Sequence, residues 1–495
     1  MGRLSSARPP LALIVAYAFL AVAWAMTNAP FSAPDEAEHY VRAVGVSDGG
    51  LVGRRALDPN PALTPKQRAW TDQAARAVAV PRGLSPAGLD CVASRPRISA
   101  ACQDSVPAPP AQTGVTSDGT YQPLPYLLPA VALRAAHRAP AAGRLARLAG
   151  LLPWLVLLAG AVAAAWDRRR GAASLAGLLL GMTPMMIFVG ASLSGSSLET
   201  MGSLALMAGL LRLSRESPAP LWTWTLVGAA GVLLALSRTL GPAWLVADLI
   251  LWVAFCGRAR TVAVLRARPR ASAIAAGALL VAIVLNRAWE AAYGPAHVTT
   301  SLIPSGSSIR AGIDQMSDNL PELVGRFGNL EVHLPTWIVV AWALAALAAA
   351  WAALRWATRR ERATIVVTAG LCMAAPIYLF AAVIAQTGFG VQGRHYLALV
   401  VVLALLVGEV LGRRSGARWP ALLGLLAAAG QLTAWWVNSR RYAVGTSGPW
   451  WFLGSARWSP PLGWEPWLAL VLAACALLIY GAWTGRAAAD SPSTR

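Results

Sequence analysis

The sequence predicts an all-α, polytopic membrane protein with about 12–13 transmembrane helices and a large first loop outside the cytoplasm. Three observations carry that expectation. First, 56% of the 495 residues are hydrophobic and only 13% charged, against about 25% charged in ordinary soluble domains. Second, mean hydropathy is +0.52, and apolar windows near the roughly 20 residues of a membrane-crossing helix recur to the far end of the chain. Third, arginines cluster in short segments between those windows, as the positive-inside rule expects.

The net charge of +20 is therefore read as topology, and nucleic acid is not a predicted partner. Lys66 is the only lysine. A signal peptide explains none of the later apolar runs. Cys256, Cys372 and Cys475 fall in such runs and read as small core residues. Cys91 and Cys102 stand in the one long polar segment with ten residues between them, and a disulfide closing that loop is expected. There is no Cys-x-x-Cys and no His-rich metal signature.

Taken in order, Arg3 and Arg8 precede an apolar run from about Leu11 to Met26, which places the amino terminus in the cytoplasm. Residues 27–120 then form the first extracytoplasmic loop, including Pro107-Ala108-Pro109-Pro110; loops of that length are usually functional or disordered. Further runs follow at 121–133, 146–166, 173–193, 198–211, 221–236, 239–256 and 272–289, then 335–354, 364–385, 395–412, 419–437 and 466–483. Residues 1–485 read as one transmembrane domain and 486–495 as a short tail. The dense basic loops Arg258–Arg270, Arg355–Arg362 and Arg413–Arg418 are assigned to the cytoplasm. Counting from the amino terminus and from these loops gives opposite sides for Asp167–Arg170. One crossing is therefore misread: either the run at 121–137 only dips into the membrane, or 221–256 is not two full helices.

The first loop opens on Ser32-Ala33-Pro34-Asp35-Glu36-Ala37-Glu38-His39-Tyr40-Val41-Arg42. Ser-x-x-Asp with an early proline is a helix-start pattern, and on a helix Asp35, His39 and Arg42 share one face. Asp35 and Glu36 diverge by about 100°, so they suit divided roles, one as base and one as ligand of a divalent cation. His39 and Arg42 would position them or meet phosphate. An ordinary wet helix beside the membrane carries the same composition. Glu199, after Ser194-Gly195-Ser196-Ser197, reads as a helix-start acid or a site acid. Arg238 stands between two apolar runs, where a charge marks function or snorkels. Arg394 and His395 open the run at 395 and suit an anionic headgroup. Trp450, Trp451, Trp458 and Trp464 read as an interfacial anchor, with a sugar or lipid-headgroup platform as the alternative. His297 and His333 have no motif around them.

Four stretches resemble the family of membrane proteins called domain of unknown function 2142. They are Pro34-Asp35-Glu36-x-x-His39-x-x-Arg42, Tyr121-Gln122-Pro123-Leu124-Pro125-Tyr126, Thr183-Pro184-Met185 followed by Ala191-Ser192-Leu193-Ser194, and Gly393-Arg394-His395-Tyr396. The resemblance covers about residues 10–480, and that family looks related to the GT-C integral-membrane glycosyltransferases. It implies a GT-C-like fold and transfer of a sugar from a polyprenyl-phosphate donor to a cell-envelope glycan, lipid or protein acceptor at the outer face of the cell membrane. Asp35 matches the loop carboxylate that acts as base or acceptor ligand, and Glu36 its partner. Arg394 matches an arginine suited to the carrier phosphate. His39, Arg42, Tyr121, Gln122, Glu199, Arg238 and His395 complete the expected substrate-binding set. A magnesium or manganese ion is admitted, held by Asp35, Glu36 or Glu199. The chain departs from the family where an aspartate often follows Ser-Leu-Ser; it has Gly195-Ser196-Ser197 and only later Glu199. Its Tyr121-Gln122-Pro123-Leu124-Pro125 also replaces the commoner double proline. Two other classes fit the same residues: a transporter or flippase of lipid-linked sugars, and a non-catalytic scaffold for envelope assembly.

Overall fold

The computed structural model describes residues 8–107, 110–296, 304–414 and 418–484. Arg3, Ala108, Pro109, His297 and the 486–495 tail lie outside the described residues. The first helix, α1 (Arg8–Thr27), leads into loop 1, residues 28–123. Loop 1 holds α2 (Glu36–Ser47), β1 (Arg54–Arg55), α3 (Pro65–Ala74), β2 (Arg76–Val80) and β3 (Gln112–Thr116). Then come α4 (Leu127–Leu133), α5 (Ala139–Ala165), α6 (Ala176–Gly181), α7 (Pro184–Gly190), α8 (Gly195–Arg215), α9 (Leu221–Ala235), α10 (Gly241–Cys256), α11 (Arg258–Ala267) and α12 (Pro269–Tyr293). A second polar segment carries α13 (Gly306–Asp314), α14 (Met316–Glu322), β4 (Arg326–Phe327) and β5 (Val332–His333). The chain ends with α15 (Thr336–Trp356), α16 (Arg359–Thr387), α17 (Leu397–Arg414), α18 (Arg418–Val444) and α19 (Glu465–Thr484). Local sequence sets several starts: Thr64 with Gln67 and Thr358 with Glu361 form reciprocal capping boxes before α3 and α16.

Among the described residues, eight helices are long and apolar enough to cross a membrane, or up to ten if each of two bent pairs is one span. That is fewer than the 12–13 expected, for local reasons. The runs at 121–133 and 221–236 give only short apolar helices. The run at 173–193 bends by 70° between α6 and α7, and α10 turns by 107° into arginine-bearing α11. Helix α8 carries Ser196, Ser197, Glu199, Thr200 and Ser203 within its first nine residues.

Hydrogen bonds sort the connections into two ends. At one, Arg170 pairs with Asp167 and Glu409 at 3.0 and 2.8 Å, Arg413 with Glu361 at 2.6 Å, and Arg260 donates to the Ser214 carbonyl at 2.8 Å. At the other, loop 1 is tied to Gly388 through Gln67 and to Leu193 through Glu36. The His39 Nδ1 atom lies 2.8 Å from Tyr126 Oη just before α4. Beyond α4, Arg134 donates to the Ser47 carbonyl at 3.0 Å and the Ala139 amide to Gly83 at 2.8 Å. Both ends of α4 therefore lie against loop 1, and the run at 121–137 does not cross.

Loop 1 is folded around its own apolar cluster, in which Tyr40, Val41 and Val44 of α2 meet Val78 and Val80 of β2 and Tyr126, Ala130 and Leu133 beside and within α4. Strands β1, β2 and β3 form an antiparallel sheet with Arg76 opposite Thr116. Cys91 and Cys102 are joined in a disulfide. Buried Arg441 of α18 donates into the same stretch, to the carbonyls of Ile98 and Val92 at 2.5 and 2.6 Å, and pairs with Glu331 at 3.1 Å. In the helical body, α6 and α17 touch backbone to backbone: a Cβ at Gly177 would lie 2.7 Å from the Ala404 carbonyl oxygen. The tryptophan segment divides. Trp458 and Trp464 are buried with ring centroids 5.8 Å apart, whereas Trp450 and Trp451 are exposed.

Candidate functional site

Asp35 and Arg394, 359 residues apart, meet at 2.5 Å from Oδ2 to Nη2. Two loops create that contact. Asp35 occupies the residue before α2 with φ 60° and ψ 8°, a left-handed conformation rare outside glycine, and its side chain makes no cap. The expected Ser-x-x-Asp cap is therefore not made: Ser32 bonds instead to the Ala29 carbonyl and Tyr442. The carboxylate turns toward Arg394 and opens onto free space, 58% exposed, while the Arg394 side chain is 6% exposed. The enclosing loops push the Asp35 carboxyl up even though its side chain opens onto free space, but Arg394, with His39 and Arg238 behind it, outweighs this and holds it below its ordinary value.

Arg394 sits in a single helical turn, Gly393–Tyr396, that leads into α17. The Gly393 amide donates to Glu322 Oε2 of α14 at 2.5 Å. A Cβ at residue 393 would lie 2.6 Å from both the Asn319 carbonyl oxygen and Glu322 Cβ, so only glycine fits there. His395 turns inward, its Nδ1 atom 3.1 Å from the backbone nitrogen and oxygen of Gln392. The Thr183-Pro184-Met185 motif anchors the same scaffold at the break between α6 and α7. Thr183 Oγ1 donates to the Leu323 carbonyl and the Met185 amide to Val324, both at 2.9 Å.

A second guanidinium approaches from the turn between α9 and α10. Arg238 donates to Ser196 Oγ at 2.7 Å and to Tyr121 Oη at 3.3 Å, with its guanidinium 5.4 Å from the Tyr121 ring centre. Glu199, buried one turn beyond Ser196, feels the Arg238 charge, whereas Ser194 caps α8. Asp35, Tyr121, Arg238, Arg394 and His395 thus act electrostatically on one another within one centre.

Other expected site residues turn to support. Glu36 is 2% exposed and bound by Arg147 through Nε at 2.6 Å and Nη2 at 2.5 Å, and it also accepts from the Leu193 amide at 3.1 Å. Its carboxylate thus accepts three hydrogen bonds, all from buried groups of the scaffold. Arg42 donates to the carbonyls of Tyr121 and Leu51, at 2.8 and 2.7 Å, so it braces the Tyr121 segment. Gln122 reaches the Asn286 carbonyl at 3.5 Å. Among the described residues no group of three or more His, Cys, Asp or Glu is arranged to hold a metal ion. Asp35, Glu36 and Glu199, the carboxylates expected to hold one, each face an arginine instead.

Three further residues escaped sequence reasoning. Asp118, in an ordinary-looking Ser-Asp-Gly turn, lies 2.8 Å from His39 Nδ1. Arg147 lies one residue inside a predicted span, where an ionisable group is itself a signal. Glu322 carries no motif. A neighbour of the centre, Glu38, accepts from the Ser117 amide at 2.7 Å. Burial, then the charge of Asp118, pushes its carboxyl up to about 7. An unfolded glutamate ionises near pH 4.3. The stability from Glu38 is therefore full below that value and is lost as pH rises through about 7. Glu38→Gln is accordingly expected to raise the unfolding temperature at pH 8 and to change it far less at pH 5, read by thermal unfolding in detergent.

Fold and site define a polytopic helical membrane protein whose polar centre joins its first loop to the start of α17. The profile of the family described as Predicted membrane protein (DUF2142) matches residues 18–403, and the chain belongs to that family. The matched stretch contains Asp35, Tyr121, Glu199, Arg238 and Arg394 and stops before α18 and α19. No curated protein matches the chain.

Proposed function

We propose that the protein is a membrane glycosyltransferase that moves a sugar from a polyprenyl-phosphate donor to a cell-envelope glycan, lipid or protein acceptor. The observation that carries the reading is the Asp35–Arg394 contact, with Arg238 and Tyr121 beside it. An exposed carboxylate beside a buried arginine suits a site for a phosphate leaving group and a hydroxyl acceptor. The resemblance to GT-C enzymes, which use an acidic group in the first loop, supports the same assignment. Arginine density at the far end supports placing that end in the cytoplasm and loop 1 outside the cell membrane.

In this mechanism Arg394 and Arg238 take the donor phosphate. Phosphate competes with Asp35 for Arg394, so donor binding releases the carboxylate to the acceptor. Held below its ordinary pKa, Asp35 serves better as a ligand of the acceptor hydroxyl than as the group that keeps its proton. The flippase alternative is less well supported, because among the described residues the arginines and Asp35 gather at one end of the helices. The remote polar pair Ser203–Asp248, joined at 2.6 Å, is closed on itself and on the Ala398 carbonyl.

The test is transfer from radiolabelled polyprenyl-phosphate sugars by the protein in liposomes. Asp35→Asn is expected to retain its fold and lose transfer by at least about 100-fold. A variant that transfers at the wild-type rate would falsify the assignment.

A further inference from the structure

We propose that His39, held by Asp118 and Tyr126, is the general base of the transfer; this rests on the glycosyltransferase reading above. His39 lies one turn after Asp35 in the first half of α2 and is 3% exposed. Its Nδ1 atom is 2.8 Å from both Asp118 Oδ2 and Tyr126 Oη. Asp118 is 6% exposed and Tyr126 1%, so the imidazole is fixed from behind by two buried groups. Among the described residues no hydrogen bond takes up the other ring nitrogen, Nε2. His39 is also close enough to Asp35 and His395 to act on the charge of both.

This is the arrangement of an oriented histidine base. Tyr126 Oη on Nδ1 fixes the ring, and the Asp118 carboxylate at ion-pair distance compensates the imidazolium that forms when the other nitrogen takes a proton. Nothing else in the centre is as well suited. Asp35, held below its ordinary pKa, serves the acceptor as a ligand, Glu36 is buried against Arg147 and the Leu193 amide, and Glu38 accepts from Ser117. In the step, the acceptor oxygen bonds to the anomeric carbon while its proton passes to His39 Nε2. The bond from that carbon to the phosphate oxygen breaks, and the phosphate leaves with the electron pair toward Arg394 and Arg238. The charged groups around His39 are Glu38 and Arg42 on its own helix, Asp118 on the loop, and Asp35, Arg238 and Arg394 across the centre. Asp118 alone among them approaches the ring at ion-pair distance.

Three variants test the base. In liposomes, His39→Gln is expected to lower kcat by about 10²–10⁴-fold with donor KM within about twofold. Tyr126→Phe, which removes the hydroxyl partner of Nδ1, and Asp118→Asn are expected to lower kcat by smaller factors with donor KM likewise within about twofold. Should His39→Gln misfold, these two variants carry the test through the same split between kcat and KM. Wild-type kcat in His39→Gln, or in both supporting variants, defeats the base alone. Absence of transfer by the wild type defeats the glycosyltransferase reading and the base with it.

Discussion

Arg147→Leu is expected to destabilise the protein by about 3–5 kcal/mol, the cost of leaving one member of a buried ion pair without its partner. All five N–H groups of Arg147 are used. Nε and one Nη2 bond go to Glu36, Nη1 serves the Ala25 and Asn28 carbonyls at 3.1 and 2.8 Å, and the other Nη2 bond goes to Ala29 at 2.9 Å. Leucine fills much of the volume but leaves the Glu36 carboxylate with only the Leu193 amide and strips three carbonyls at the end of α1. Adding Glu36→Leu removes the stranded charge, so the double variant should recover part of the loss. Thermal unfolding in detergent reads both. A single variant as stable as wild type would show that the pair does not hold loop 1 against α5.

The pair also explains what sequence reading reached and what it missed. The helical membrane class and the family were legible because they depend on composition and local motifs, whereas the meeting of Asp35 with Arg394 across 359 residues was not. Glu36 and Asp35 are not told apart by sequence, because adjacent carboxylates look alike in one dimension. Only the position of Arg147, 111 residues away, decides that Glu36 points inward while Asp35 points out. Helix number was overcounted because an apolar run does not reveal where it stops: α4 ends both flanks on loop 1, and α6 breaks at Met182 and Thr183. Asp118 gave no signal, since its meaning comes from a tertiary approach to His39. Arg441 likewise reads as a basic residue in a last helical turn until the carbonyls of the disulfide loop close on it.

Arg394→Ala should give a large functional loss that leaves the rest of the scaffold intact. Its guanidinium donates to the Pro34 carbonyl at 3.2 Å as well as to Asp35, so its stem is already seated before donor arrives. Its turn is held independently through the Gly393 amide and Glu322, which alanine at 394 does not disturb. Removing a charged hydrogen-bond donor from a phosphate is worth about 1.5–3 kcal/mol, so apparent donor KM should rise about 10–100-fold. The same group faces the charge that grows on the departing phosphate, so kcat should fall as well. Arg394→Lys keeps the charge but not the planar fork and should fall between the two. With Arg394 gone, Asp35 loses the partner that holds its carboxyl low, and its titration should move up toward the ordinary range. That movement separates the two jobs of Arg394. An unchanged donor KM with a raised Asp35 titration would leave the clasp in place and remove the carrier phosphate from Arg394.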